Sequence, residues 1–200
     1  LDIVIEPDRR WRWKDEDHFE HIQRFGWISA QRAAELRAVG LEVIAEGLEI
    51  TVSSIDKLRQ VEAAAESLGR KATIHLKIDT GMERIGVHSY HAGPFIEAAV
   101  ASKWCTVKGV YSHLACADDP SSPMTGRQLN KFLEACAHFT RLGAPMPIRH
   151  LANSGGVLHF PGTCLDMVRP GIALYGVLPD PASQATVDLR PALSLVSKVV

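Results

Sequence analysis

From Ile50 onward the apolar positions switch repeatedly between two spacings. Residues 50–53 are short and β-rich. Ser54 then opens a stretch in which Ile55, Leu58, Val61 and Ala65 fall on one helical face, and Leu68-Gly69 ends it. TIHLKID (73–79) reads as a strand, 91–102 as a helix, and TVKGVYSHL (106–114) as a second strand. Residues 125–142 form a long predicted helix with Leu129, Phe132, Leu133, Cys136 and Phe139 on its inner side. A strand over 148–153 leads into a short helix after Ser154, and a strand over 165–169 ends at the turn Pro170-Gly171. Strand and helix in regular alternation predict an α/β fold, a parallel sheet covered by helices, either open or closed into a barrel.

The two ends of the chain break this rhythm. LDIVIEPD is a short strand ending in a turn, and residues 9–14 are basic and aromatic. Asp15, Glu16 and Asp17 open a predicted helix to about Phe25, acidic where the helix dipole favours it. Ser29 is a candidate N-cap for a second helix, 30–39, stopped by Gly40. After the Pro-containing stretch 179–191, residues 193–200 are again β-rich and read as the first strand of another domain. The chain therefore divides into 1–47, 48–178 and 179–200.

Composition narrows the function only by exclusion. The 200 residues are 46% hydrophobic and 22% charged, with a net charge of −1. That balance carries no electrostatic footprint for nucleic acid or an anionic membrane. No apolar run reaches membrane-spanning length and no signal-peptide pattern is present, so a cytoplasmic protein is expected. Cys105, Cys116, Cys136 and Cys164 are widely spaced without a CxxC pair, which predicts free thiols and no zinc site.

In parallel α/β folds, function gathers beyond the C-terminal strand ends. Here those ends deliver Lys77-Ile78-Asp79 with Thr80 to Arg84, then Ser112-His113, then Asn153-Ser154-Gly155-Gly156, then Arg169-Pro170-Gly171-Ile172. Ser154 with its glycines, and the backbone N–H groups of Gly171 and Ile172, suggest an anion or phosphate site. Arg169 at the end of an apolar run needs a partner. Lys77, if it points inward, needs a counter-charge or a shifted pKa. Asp79-Thr80-Gly81 matches the aspartic-protease tripeptide, but those enzymes are all-β and this segment sits in a strand–helix series.

At these residues the chain resembles alanine racemase. The matching stretches are HLKIDTGMERIGV (75–87), GVYSHLACADD (109–119), HLANSGGVLHFP (150–161) and DMVRPGIALYGVLP (166–179), with a weaker run at 48–70. The resemblance implies a partial TIM-type (β/α) barrel, the start of a C-terminal β-domain, and pyridoxal 5′-phosphate as cofactor. It implies an isomerase that interconverts L- and D-alanine for the cell wall, working as a homodimer. By the same resemblance, Arg169 would contact the pyridine nitrogen, and His113 would bond to Arg169 and to a catalytic tyrosine. Ser154, Gly171 and Ile172 would bind the phosphate, and Asn153 would line the pocket. Arg84 would face the phenolic oxygen and the substrate carboxylate, and Lys77 matches a lysine that is often carbamylated. Glu83 stands where many relatives have glycine, a change expected to be neutral.

Two family features have no match. The Schiff-base lysine belongs to a motif like VVKADAYGHG, which does not occur here. The second base, a tyrosine, belongs to the C-terminal β-domain. Tyr111 and Tyr175 match neither position. The expectation is a chain inactive alone, with a non-catalytic cofactor-binding barrel or a non-functional fragment or fusion as alternatives. Residues 1–47 weakly resemble the C-terminal part of a FomD-like nucleotide phosphohydrolase, which would make Asp2 and Asp15 remote metal-ligand candidates. AELRAVGLEVIAEG within this region can also be read as a degraded racemase segment.

Overall fold

A computed structural model describes residues 3–5, 11–13, 30–180 and 187–192. The helix expected over 15–25, the Ser29 cap, Asp2, Asp15 and the strand expected over 193–200 lie outside the described residues. Strand β1 (Ile3–Ile5) pairs antiparallel with β2 (Trp11–Trp13), so the aromatic stretch supplies a strand the pattern did not reveal. Helix α1 spans Ala30–Ala45 and passes through Gly40. Gly40 is exposed with open space around it, so no left-handed cap forms there. The helix carries the roughly 1 kcal/mol that glycine costs relative to alanine.

The main body then alternates as expected. It runs β3 (Ile50–Val52), α2 (Ile55–Ser67), β4 (Ala72–Asp79), β5 (Val87–His88), α3 (Ala92–Ala101), β6 (Cys105–Tyr111), α4 (Met124–Arg141), β7 (Ile148–His150) and α5 (Ser154–His159). The sheet order is β3-β4-β6-β7, all parallel, with β5 paired to the end of β4. Ser54 caps α2 by accepting a bond from the Lys57 N–H, and Leu58, Val61 and Ala65 are its buried residues. On α4 the buried stripe is Thr125, Gln128, Phe132, Ala135, Cys136 and Phe139. Leu133, expected inside, is 38% exposed. The strand expected over 165–169 is reduced to a single bridge, His150 with Met167, and Leu165 has a left-handed φ of 47°.

Side-chain alternation along β4 sets up everything that follows. Ala72, Ile74, Leu76 and Ile78 are buried in the hydrophobic core with Phe95 and Ile96 of α3 and Phe132 and Phe139 of α4. Period-2 geometry sends Thr73, His75, Lys77 and Asp79 to the opposite face. On β6 the register slips by one residue, since Ile74 pairs with Val107 but His75 pairs with Gly109. Lys108 is the extra residue of this bulge, and beyond it Tyr111 stands opposite Lys77 and His150. All four cysteines are free, with Cys105 and Cys136 buried. Among the described residues no helix is long and apolar enough to cross a membrane.

Candidate functional site

The polar face of the sheet is arranged around Tyr111. Its ring stacks on His150, with centroids 4.7 Å apart and planes 7° from parallel. The Arg169 guanidinium lies 4.9 Å from the ring centroid and Lys77 Nζ 5.2 Å. The Tyr111 hydroxyl is 3.0 Å from Thr51 Oγ1 on β3.

Arg169 is aimed by its own backbone, whose N–H donates to Ala152 O. Its Nη1 donates to His150 Nδ1 at 2.6 Å, and its Nη2 to the carbonyls of Ser112 at 2.6 Å and Leu151 at 3.5 Å. No carboxylate is among these partners. The histidine bonded to Arg169 is thus His150, not His113. His113 lies within electrostatic reach of Arg169, Lys77 and Arg84. Burial first, and then those three cations, press its pKa down to about 4. His150 is held at about 4 by burial and by Arg169, His75 and Lys77. Lys77 is 3% exposed, and its Nζ donates to the Ile78 carbonyl at 3.4 Å. Desolvation lowers its pKa to about 8, Asp79 works in the opposite direction, and Arg169 and Arg84 lower it further.

Asp79 is nearby but committed elsewhere. Its Oδ1 accepts from the Gly81 and Met82 N–H groups, and its Oδ2 from the Arg84 N–H. It folds the 80–84 loop and so places Arg84 at the rim. Glu83 in this loop sits at φ 55°, a left-handed conformation that costs a non-glycine residue about 1 kcal/mol. Its carboxylate lies 3.7 Å from His88 Nδ1. A glycine, which the resemblance implies at this position in many relatives, would adopt this φ without that cost.

Sequence reasoning missed Gln128. Fully buried on α4, it ties three segments of the rim together. Its Nε2 donates to Thr80 Oγ1 at 3.1 Å and to the His113 carbonyl at 2.9 Å, and its Oε1 accepts from the Ala115 N–H at 2.9 Å. Thr80 Oγ1 also meets Ser112 Oγ at 2.8 Å. A long polar side chain on a helical stripe otherwise made of apolar residues and Thr125 was the available signal.

The remaining corner holds the candidate phosphate ligands. Ser154 is buried, and its Oγ accepts from the Ala173 N–H at 3.1 Å, which draws the 171–175 turn against α5. Ile172 opens a short 3-10 helix, so its N–H has no acceptor within that helix. The Gly171 N–H donates to the Arg169 carbonyl. Asn153 caps α5 by accepting from Gly156 N–H and donates to Leu114 O at 3.3 Å, so its amide holds the loop. Gly155 is packed against the Ala117 backbone, where a β-carbon would collide with the carbonyl.

The donor set fits a phosphorylated pyridine. A donor-only guanidinium suits a ring nitrogen with a free lone pair. A hydroxyl and a turn N–H suit phosphate oxygens. Three cations act on this corner, the Asp79 carboxylate is spent on backbone amides, and the Glu83 carboxylate lies beside His88.

Comparison with known proteins bears on the family and the fold. Residues 21–179 match the family model for the alanine racemase N-terminal domain, a span that includes α1. The alanine racemase of Thermobifida fusca is 40% identical over 162 residues, which is 80% of this chain and 43% of that protein. The chain thus spans less than half the length of the curated relatives it matches. The alanine racemase of Clostridium difficile 630, solved in complex with cycloserine, superposes with a TM-score of 0.73 at 32% identity. That match covers 78% of this chain and 43% of the other. The Bartonella henselae alanine racemase, solved with covalently bound pyridoxal phosphate, gives a TM-score of 0.64 at 27% identity. It covers 74% of this chain and 41% of the other. The four parallel strands and their helices are therefore part of a TIM-type barrel.

Proposed function

The chain belongs to the alanine racemase N-terminal domain family, and from that premise we propose that residues 48–178 form one wall of a pyridoxal 5′-phosphate site in a homodimeric enzyme interconverting L- and D-alanine. The observation that carries this reading is the gathering of Lys77 and Arg169 over the Tyr111 ring, at 5.2 and 4.9 Å, beside a His113 whose neutral form both cations and Arg84 favour, while the Asp79 carboxylate accepts from three backbone N–H groups. Such a rim calls for an anionic ligand. When bound, the cofactor supplies the electron sink that acidifies the substrate's α-carbon.

Each residue's part follows from its chemistry. Arg169 donates toward the ring nitrogen and, being unable to accept a proton, keeps that nitrogen unprotonated. The Ser154 hydroxyl and the Ile172 N–H hold the phosphate; Gly171, whose N–H is bonded to the Arg169 carbonyl, shapes the turn instead of donating, and Asn153 fixes the loop beside them. Arg84 offers a planar guanidinium to the substrate carboxylate. His113, kept neutral, is free to hydrogen-bond to a tyrosine hydroxyl supplied from outside this chain. Lys77, near pKa 8, exposes a useful fraction of free amine at neutral pH. Attack of that amine on CO₂ forms an N–C bond, releases a proton, and replaces a cation by an anion beside Arg84.

Racemisation needs one base on each face of the α-carbon. Neither family base has a counterpart among the described residues, so residues 48–178 supply the cofactor-facing wall and the bases come from elsewhere in the enzyme. Calorimetric titration with pyridoxal 5′-phosphate, alongside an assay for D-alanine, tests both parts. The expected result is saturable binding, weakened at least tenfold by Arg169→Ala and by Ser154→Ala, with no turnover. Robust turnover by the purified chain would refute the assignment of both bases elsewhere. Absent binding, or binding indifferent to both substitutions, would refute the cofactor reading.

A further inference from the structure

A line of hydrogen bonds starts at Arg169 and crosses the polar face of the sheet. Arg169 Nη1 lies 2.6 Å from His150 Nδ1, His150 Nε2 lies 2.9 Å from His75 Nδ1, and His75 Nε2 lies 2.7 Å from Glu49 Oε2. Lys108 ion-pairs with the other Glu49 oxygen. Glu49 precedes β3, at the N-terminal edge of the sheet, while Arg169 follows the C-terminal end of β7.

The chemistry of these groups leaves one arrangement of protons. A guanidinium has no acceptor, so His150 Nδ1 must carry the lone pair. Neutral His150 then bears its proton on Nε2 and donates to His75 Nδ1. His75 must in turn carry its proton on Nε2 and donate to Glu49. Every bond runs one way, from cation to anion. A second proton on either ring would set two N–H groups against each other or against Arg169. Desolvation keeps His150 neutral, with a pKa near 4.

The path is built into the backbone. Gly109 stands opposite His75, and a β-carbon there would collide with the imidazole. The bulge at Lys108 is what brings glycine to that position. His150 is further pinned by its stack on Tyr111 and its edge contact with His75, 5.1 Å between centroids.

We propose that Glu49 is a positioning residue for Arg169, acting through His75 and His150, whose tautomers it fixes across the sheet. The relay fixes the direction in which Arg169 presents its remaining N–H groups. Its consequence for a ring nitrogen rests on the function proposed above, whereas the tautomers themselves do not.

The experiment is long-range ¹H–¹⁵N correlation on the chain labelled with ¹⁵N-histidine and ¹⁵N-arginine, without cofactor, at pH 7.5. Both His75 and His150 should appear as Nε2–H tautomers, and Arg169 should show a guanidinium resonance protected from exchange. Glu49→Ala should redistribute His75, shift the His150 ring nitrogens, and speed Arg169 exchange at least tenfold. Glu49→Gln, whose amide oxygen still accepts from His75, should restore all three signals. Lys108→Ala should leave the tautomers alone, and unchanged His113 signals show that each variant retains the fold. An Nδ1–H or charged ring in the unsubstituted chain overturns the proposal. So does a Glu49→Ala variant in which His150 and Arg169 are unmoved. Failure of pyridoxal 5′-phosphate to bind would overturn the function proposed above and leave this relay standing.

Discussion

Replacing Gln128 by leucine removes the one side chain that joins the 80, 113 and 115 segments of the rim. The volume is nearly conserved and the site is fully buried, so a large cavity term is absent. The loss comes from orphaned polar groups. The Ala115 N–H and the His113 carbonyl lose their Gln128 partners, while Thr80 Oγ1 keeps Ser112. Each abandoned buried group costs about 1–3 kcal/mol. Leucine regains about 1 kcal/mol by burying more apolar surface. The net expectation is a destabilisation of about 1–5 kcal/mol, read in urea as a lower midpoint with an unchanged slope. Gln128→Glu keeps an acceptor for Ala115 but sets a fully buried carboxyl against the His113 carbonyl, so it should lose at least as much at neutral pH and recover as the carboxyl is protonated. A Gln128→Leu loss below about 0.5 kcal/mol would show that these bonds contribute nothing net, and the account of how the rim is held would fall.

Two further outcomes follow from the buried charges. His113 and His150 titrate near 4 in the fold against an ordinary 6.5. Between those values the unfolded chain binds more protons, so stability is full above about pH 6.5 and declines as pH falls toward 4. Each histidine contributes at most about 1.4 kcal/mol per pH unit, and His113's partial exposure lowers its share, so a fall of roughly 2–4 kcal/mol is expected from pH 7 to 4. Urea midpoints across that range measure it, and a flat profile would contradict the neutral assignments. Asp79→Asn exchanges an acceptor oxygen for an NH₂ facing backbone donors. It should free the 80–84 loop, seen as at least tenfold faster hydrogen exchange at Gly81, Met82 and Arg84, with about 1–3 kcal/mol lost. Unchanged exchange at those amides would show that another contact places Arg84.

Much of the fold was legible because single-stripe helices and apolar strands announce themselves. Leu58, Val61 and Ala65 on α2, and Phe132, Cys136 and Phe139 on α4, lie inside as their spacing required. Leu133 does not, because a helix flank rather than its centre falls at that position. The run 165–169 looked like a strand by composition, yet strand pairing is a property of neighbours. Here only Met167 bridges, while Asp166 and Arg169 reach β7 and its loop through separate N–H bonds. Gly40 failed as a helix stop since stopping needs a left-handed cap, and none forms.

The site was half visible. Lys77, Arg84, His113, Ser154 and Arg169 could be placed because strand ends share a rim. The partnership of Arg169 with His150 could not, since it depends on where Arg169 approaches β7. His75 was within reach, as it alternates with Lys77 on one strand. Its connection to Glu49 and His150 required the cross-strand register, which a one-residue slip had altered.

That slip at Lys108 amounts to a change of phase. Before it, β6 places its odd-numbered residues on the side of Ile74; after it, Gly109 and Tyr111 turn the opposite way. Were the ladder regular, Lys108 and Val110 would point at His75 and Lys77 instead, and the aromatic centrepiece would be turned out among the covering helices. Anyone transplanting this wall into an idealised barrel must carry the surplus residue along. A strand trimmed to tidy length would keep every neighbouring letter of the sequence and present the wrong half of them.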